Sequence, residues 1–339
     1  MPHPYPIREI ARQAGVSQAT VDRVLHGRPG VRAGTVLRVE QAITDLDRQR
    51  SALALSGRNF IIDVVMDAPK RFSTMVRRAL EAELPGLRPA VMRARFELHD
   101  RWTVGEMVAV LNSIARRGSS GVLLKAPDVP EVAEAINRLT AARVPVLTVA
   151  TDVPASTRIA YVGIDDRAAG ATAAYLMHHL LRGSDARVLV LTTRDFFRNE
   201  EEREMGFRAA MRGYDTERRI VELSDTGGFD DASRLVVGAA LRADPLLRAA
   251  YSIGGGNTGI AAAFADADRT CEAFIGHDLG EQNVALLRSG AMTAVLHHDL
   301  RADMRAATRS IMAHHGALPG PVSVPRSAIA VITPHNVPG

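Results

Sequence analysis

The chain has 339 residues, of which 46% are hydrophobic, and it carries 42 Lys and Arg against 38 Asp and Glu. This apolar fraction is enough for real hydrophobic cores and excludes a wholly disordered chain, while the length allows two or three domains. The single cysteine, Cys271, excludes a disulfide within the chain, and neither a transmembrane helix nor a secretory signal is visible. We therefore expect a cytoplasmic protein with no membrane partner.

The net positive charge is concentrated at the N-terminus. Residues 1–58 contain nine arginines and five acidic residues, whereas the other 281 residues contain 33 basic and 33 acidic ones. The whole excess of four charges therefore lies in the first sixth of the chain. Because arginine binds phosphates and guanine edges well, this segment is the candidate for salt-sensitive contact with nucleic acid.

Three short helices are predicted at the N-terminus. Apolar residues at helical spacing predict the first over 7–14, Gly15 ends it, and Ser17 caps a second helix. Pro29-Gly30 indicates a turn, and a third helix is predicted from 33 to about 45.

The spacing of these helices is typical of a helix-turn-helix. Val16 and Val21 are placed to fill the gap between the first two helices. The exposed face of the second helix then carries Gln18, Ala19, Asp22 and Arg23. A helix that presents its N-terminal residues to the major groove of DNA reads base edges there.

The phrase ARQAGVSQATVDRVL, from Ala11 to Leu25, together with TVLRVEQAI, from Thr35 to Ile43, resembles the signature of the LacI/GalR family of bacterial repressors. The resemblance implies that residues 1–47 are a DNA-binding domain and that a homodimer binds a pseudo-palindromic operator. By position it implies DNA contacts from Ile7, Ser17, Gln18, Ala19, Thr20, Asp22, Arg23 and Arg28. Arg23 to guanine is the first expected contact, and Asp22 departs from the family because an acid facing DNA is repelled unless it is paired.

Residues 48–58 are predicted to be a hinge or linker, with a marginal short helix as a further alternative. Leu55 stands where family members carry a leucine that enters the minor groove at the operator dyad. The usual Tyr-x-Pro-Asn stretch before this hinge is replaced by residues 47–50, Asp-Arg-Gln-Arg. A plain basic linker is therefore the alternative.

From residue 59 onward, short runs rich in β-branched residues alternate with helical segments. Strands are predicted at 60–66, 91–98, 121–125, 145–149, 159–163, 186–192, 218–223, 248–253, 272–277 and 292–296. Helices are predicted at 71–84, 103–117, 130–141, 165–182, 200–212, 229–242, 257–266, 280–289 and 300–315. This alternation predicts an α/β fold with parallel sheets covered on both faces, and ten strands suit two lobes.

Several predicted strands carry polar side chains at their carboxyl ends, as in Val162-Gly163-Ile164-Asp165 and Phe274-Ile275-Gly276-His277-Asp278. Here the chain resembles the type I periplasmic sugar-binding fold, the effector domain of the LacI/GalR family. The resemblance implies an effector and dimerisation domain over 59–339, with one lobe of about 59–158 and 299–320 and another of about 159–298 and 321–339. By position it implies ligand contacts from Phe72, Thr151, Asp152, Arg203, Asn257, Asp278 and His298.

These features together predict a homodimeric transcription regulator, a repressor of a carbohydrate or polyol operon, controlled by a monosaccharide or polyol bound between two lobes. No enzyme activity, cofactor or metal is expected: the Gly-rich run 254–259 lacks a following Lys, and adjacent His pairs do not share one face. A solute-binding protein for a sugar transporter is the alternative from another class. An enzyme of sugar metabolism is a third, disfavoured because no catalytic constellation is visible.

Overall fold

The computed structural model describes residues 3–55, 57–193, 197–224, 226–318 and 323–338, and for residues 51–55 it describes the backbone only. A helical unit comes first, and two α/β lobes follow. The helical unit consists of α1 (Ile7–Ala14), α2 (Gln18–Leu25) and α3 (Ala33–Leu55). Among the described residues, no helix is both long and apolar enough to cross a bilayer.

The third helix is longer than predicted, because residues 46–55 continue it rather than forming a separate linker. No glycine or proline interrupts the chain between Gly34 and Gly57, so extending an existing helix costs far less than nucleating a new one. The extension is tied back to the unit, since the Tyr5 hydroxyl donates to Asp47 at 2.5 Å. The predicted boundary at residue 47 thus falls inside α3.

The first lobe is built on a five-stranded parallel sheet in the order β2-β1-β3-β4-β5. Its strands are β1 (Asn59–Asp67), β2 (Val91–His99), β3 (Gly121–Lys125), β4 (Val146–Val149) and β5 (Ala160–Val162). Its helices are α4 (Lys70–Glu83), α5 (Val104–Arg117), α6 (Pro130–Ala141) and α12 (Leu300–His314), with a short 3-10 turn at Leu84–Leu87. One core packs β1 against α4 and α12, and a second packs α5 and α6 on the opposite face.

The second lobe is built on a six-stranded sheet in the order β11-β10-β9-β8-β6-β7. Its strands are β6 (Arg187–Leu191), β7 (Ile220–Leu223), β8 (Leu247–Ser252), β9 (Ala273–His277), β10 (Ala294–His297) and β11 (Ala330–Ile332). Its helices are α7 (Asp166–Leu180), α8 (Arg198–Tyr214), α9 (Asp230–Ala243), α10 (Asn257–Asp266) and α11 (Glu281–Arg288). The ten predicted strands are all present, and β11, which pairs antiparallel with β10, was not predicted.

The chain passes between the lobes three times. The first passage follows Val162, so the first lobe extends past the expected boundary near 158. The second joins β10 to α12, and the third joins α12 to β11. A β-bridge between Ile164 and Ser327 holds the first and third passages side by side. Parallel strands of both sheets therefore end at the gap between the lobes, where open α/β sheets bind ligands.

Candidate functional site

The helical unit presents a short capped helix on its surface. Gly15, with φ of +63°, turns the chain after α1, and the Ser17 hydroxyl caps α2 by accepting from the backbone N–H of Thr20 at 3.2 Å. Behind α2, buried Val21 joins Ile10 and Val39 in one small core. This packing fixes the outward face of α2 relative to α1 and α3.

The predicted DNA contacts lie on or beside that outward face. Ser17, Gln18, Ala19, Arg23 and Arg28 are exposed, Thr20 and Asp22 are half-buried, and Ile7 is half-buried against the core of the unit. Exposed groups at the start of a helix are available to base edges. The backbone of Leu55 ends α3, and its side chain lies outside the described residues.

Asp22, the acid that departs from the family pattern, is paired. Its carboxylate lies 3.0 Å from Arg28 Nη1 and 3.1 Å from His26 Nδ1. The negative charge on this face is therefore neutralised by Arg28, which in turn is held close to α2.

A cavity of about 510 Å³ lies between the two lobes. Five of the seven predicted ligand contacts line it: Phe72, Arg203, Asn257, Asp278 and His298. Asp278 has φ of +67°, a left-handed conformation that aspartate tolerates better than most residues, and its half-buried carboxylate makes no hydrogen bond to the described residues. This volume lies in the range of small-molecule sites.

Thr151 and Asp152 are not brought to the cavity lining. The Asp152 carboxylate binds the Arg158 guanidinium and accepts from the Thr148 hydroxyl at 2.7 Å. Thr151 is fully buried, and its hydroxyl accepts from the backbone N–H of Asn199 at 3.3 Å. Both residues follow β4 as expected, but their side chains serve the local turn and the contact between lobes rather than the cavity.

Arg203 is buried and held by two acceptors of the second lobe. Its Nε donates to Asp166 at 2.8 Å, and its Nη1 donates to the Ile253 carbonyl at 3.1 Å. Burial raises the pKa of Asp166, and the opposing charge of Arg203 does not fully cancel this effect. The helix that carries Arg203 fits closely against α7, since a Cβ on Gly206 would lie 2.1 Å from the Arg167 carbonyl oxygen.

A lysine and a phenylalanine of the first lobe line the cavity together with Phe197, which precedes α8 of the second lobe. Lys125 ends β3, donates to the Asp67 carbonyl at 2.9 Å and lies 3.8 Å from the centre of the Phe197 ring. Burial lowers the pKa of Lys125 to about 8 although Glu200 opposes the shift. Phe72 provides a second buried ring at the cavity. Aromatic faces of this kind suit the apolar face of a sugar.

His298 connects the cavity to the passages between the lobes. Its Nδ1 lies 2.7 Å from Asp303 on α12, and Asp303 also accepts from Ser327 on the third passage. Burial lowers the pKa of His298, but the hydrogen bond to Asp303 and the charges of Asp303 and Asp278 together raise it by more, so the net pKa lies above its ordinary value. A change in the position of His298 can thus affect both the second and the third passages between the lobes.

Arg71 bridges the two lobes across the cavity. From the first turn of α4 it donates to the carbonyl oxygens of Gly228 at 2.6 Å and Gly254 at 3.2 Å, both in the second lobe. Gly255 makes room for it, because a Cβ there would lie 1.7 Å from Arg71 Nη2. The lobes are therefore closed upon each other in this structure.

The sequence did not identify several of the residues that line the cavity. They are Asp67, Arg71, Lys125, Phe197, Asn199, Glu200, His277 and Asn283. Asp67 and Lys125 directly end buried strands, so the rule that ligands bind at the carboxyl ends of strands could have found them. Among the described residues, no cluster of three or more His, Cys, Asp or Glu side chains is arranged to hold a metal ion.

Two family profiles match the chain. The periplasmic binding protein domain matches residues 90–317, and the lacI family of bacterial regulatory proteins matches residues 6–50. No curated protein matches the chain.

Solved structures resemble the two lobes. The glucose-galactose binding protein GanP from Geobacillus stearothermophilus has a TM-score of 0.73 at 22% identity, covering 83% of this chain and 99% of that chain. A candidate LacI transcriptional regulator from Bacteroides fragilis has a TM-score of 0.73 at 17% identity, covering 82% and 98%. A solute-binding protein from Actinobacillus succinogenes 130z with bound D-allose has a TM-score of 0.70 at 15% identity, covering 81% and 98%. At these identities the similarity shows the fold.

Proposed function

We infer the function of this chain from its families: it belongs to the periplasmic binding protein domain family through residues 90–317, and residues 6–50 make it a member of the lacI family of bacterial regulatory proteins. It is a DNA-binding transcription regulator that responds to a sugar-type ligand, rather than a solute-binding protein alone. The observation that carries this conclusion is the exposed, Ser17-capped face of α2, joined in one chain to a closed cavity between two lobes.

We propose further that the protein is a cytoplasmic homodimer without enzyme activity that represses a carbohydrate or polyol operon from a pseudo-palindromic operator. The concentration of positive charge in residues 1–58 supports the DNA contact. A monosaccharide or polyol is the proposed effector. The names of the similar proteins support it, since one is a glucose-galactose binding protein and another holds D-allose.

Effector control requires a ligand that prefers one arrangement of the lobes. Each tenfold preference for the closed state shifts the balance by about 1.4 kcal/mol per site. Contacts from both lobes to the cavity, together with the His298–Asp303–Ser327 connection, support this coupling.

The test is gel retardation of DNA upstream of the protein's own gene and its neighbours, with and without a panel of sugars. Specific retardation that one sugar changes supports the proposal, and no specific retardation contradicts it.

Replacing Asp22 with asparagine is expected to tighten binding to DNA of any sequence. The change removes a negative charge and releases Arg28 from its 3.0 Å ion pair. The slope of log K against log salt should steepen by about one per half-site. Glu40→Gln, an equal charge change on α3, is the control and should have a smaller effect. An unchanged slope in Asp22→Asn would show that this face of α2 does not meet phosphates.

Replacing Arg71 with glutamine is expected to open the free protein. The change removes both hydrogen bonds from Arg71 to the second lobe, so small-angle X-ray scattering should give a larger radius of gyration. Hydrogen exchange should rise at 226–230 and 252–257. The control is Arg78→Gln, which removes an exposed pair with Glu281 at 2.8 Å and should change little. Scattering and exchange equal to those of the wild type would show that Arg71 does not hold the lobes together.

A further inference from the structure

Within the described part of the chain, two side-chain oxygens at the cavity have no hydrogen-bond partner. They are Oδ1 of Asn199, at the start of α8, and Oδ1 of Asn257, the first residue of α10. Both residues line the cavity, and they are 7% and 6% exposed. A buried polar atom without a partner costs free energy, so this pair calls for a group that donates to it.

The orientation of the Asn257 amide follows from its neighbours. The Asn283 amide nitrogen donates to the carbonyl oxygens of His277 at 2.8 Å and Asp278 at 2.7 Å. Carbonyl oxygens only accept, so the Asn283 oxygen must face Asn257 and receive its Nδ2, at 2.8 Å. The Asn257 oxygen is therefore the atom left for a ligand.

Three cations at the cavity are each bound to protein acceptors. Arg203 donates to Asp166 and the Ile253 carbonyl, Lys125 to the Asp67 carbonyl, and Arg71 to two carbonyls of the second lobe. The carboxylate of Asp278, by contrast, makes no hydrogen bond to the described residues. The two amide oxygens and the Asp278 carboxylate thus form a group of acceptors for which the described residues supply no donor, and one of the three is negatively charged.

We propose, building on the function given above, that the effector is an uncharged polyhydroxylated molecule whose hydroxyls donate to Asn199 and Asn257, and that phosphorylated and acidic sugars are rejected. An ionised phosphate or carboxylate brings only acceptors and negative charge, so that group cannot donate to either amide oxygen and is repelled by Asp278. A hydroxyl both donates and accepts, so it satisfies these oxygens at no cost in buried charge.

The test is calorimetry of the full chain against matched sets: glucose, galactose, ribose, allose and myo-inositol, each with its phosphate and, for the aldoses, its aldonic acid, together with glucosamine. At least one neutral compound should bind, and its phosphate and acid should bind at least about 100-fold more weakly. Asn199→Leu should weaken the neutral compound about tenfold. The melting temperature of the free variant should not fall, because the deleted oxygen has no partner there. Asn112→Leu on the outer helix α5 is the matched control and should bind normally.

The possible results distinguish a failure of this inference from a failure of the proposed sugar-type effector. An anionic member that binds as tightly as its neutral counterpart overturns this inference and leaves the sugar-type regulator standing. A preference for glucosamine over glucose would assign the donor to an amine and would overturn the uncharged class. A lower melting temperature of free Asn199→Leu would show that its oxygen has a structural partner. If nothing in the panel binds, the proposed sugar-type effector fails, and this inference fails with it.

Discussion

Arg203→Ala is expected to destabilise the second lobe by about 3–5 kcal/mol, because it leaves the Asp166 carboxylate buried without its cation. In the native chain this carboxylate receives Arg203 Nε at 2.8 Å and the Tyr161 hydroxyl at 3.0 Å. The hydroxyl alone cannot offset the loss of the charge. Urea denaturation followed by circular dichroism measures the effect, and binding of any cavity ligand should be lost in the same variant.

The loss of stability should depend on pH. Burial raises the pKa of Asp166 above its ordinary 3.8. A carboxyl whose pKa is raised on folding loses stability as pH rises from the ordinary value through the raised one. Without Arg203 the pKa rises further, so the gap between variant and wild type should widen from acid towards neutral pH.

Two control variants isolate the buried pair. Arg167→Ala removes an exposed ion pair with Glu202 on the neighbouring surface and should cost less than about 1 kcal/mol. Asp166→Asn on the Arg203→Ala background should recover much of the lost stability, because it removes the stranded charge. If Arg203→Ala alone cost less than about 1 kcal/mol, the pair would not organise the cavity.

Arg23→Ala is expected to weaken operator binding by about 30-fold to 10⁴-fold in a dimer, since one bidentate arginine–guanine pair is worth about 1–3 kcal/mol and two half-sites lose one each. Arg23 is exposed on α2, where its guanidinium is free to reach a base edge. Fluorescence anisotropy with operator and scrambled duplexes measures both affinities. The ratio of the two should fall towards one.

Arg12→Ala is the charge-matched control for Arg23. Arg12 is exposed on α1, and its loss should weaken binding to both duplexes alike, leaving their ratio unchanged. If Arg23→Ala also lowered both affinities alike, Arg23 would contact phosphate rather than base, and sequence would be read by other residues of α2.

Regular elements could be predicted where local pattern decides them. The ten strands predicted beyond residue 58 are short segments rich in β-branched and other apolar residues, and the structure contains all ten. β11 was not predicted because it has only three residues and because its pairing partner, β10, lies more than thirty residues earlier in the chain. The continuation of α3 past residue 46 was missed because a polar, basic composition was interpreted as a linker, although those residues are good helix formers.

The cavity was less predictable, because its chemistry depends on contacts between lobes. Arg71 donates to carbonyl oxygens of residues 157 and 183 positions later in the chain, and no local sequence pattern predicts such a contact. Asp152 follows a strand, as ligand-binding residues of this fold do. Its carboxylate, however, is bound by Arg158, six residues later in the chain. Position at a strand end identifies candidates, and only the neighbours of each side chain decide which of them face the ligand.

A regulator of this kind reads DNA sequence through α2. The most direct measurement is selection of duplexes from a random library by the full-length protein at about 0.15 M salt. Enrichment of one sequence made of two half-sites related by two-fold symmetry, lost with Arg23→Ala, is the predicted result. A library that emerges with no sequence enriched over the input would contradict the account.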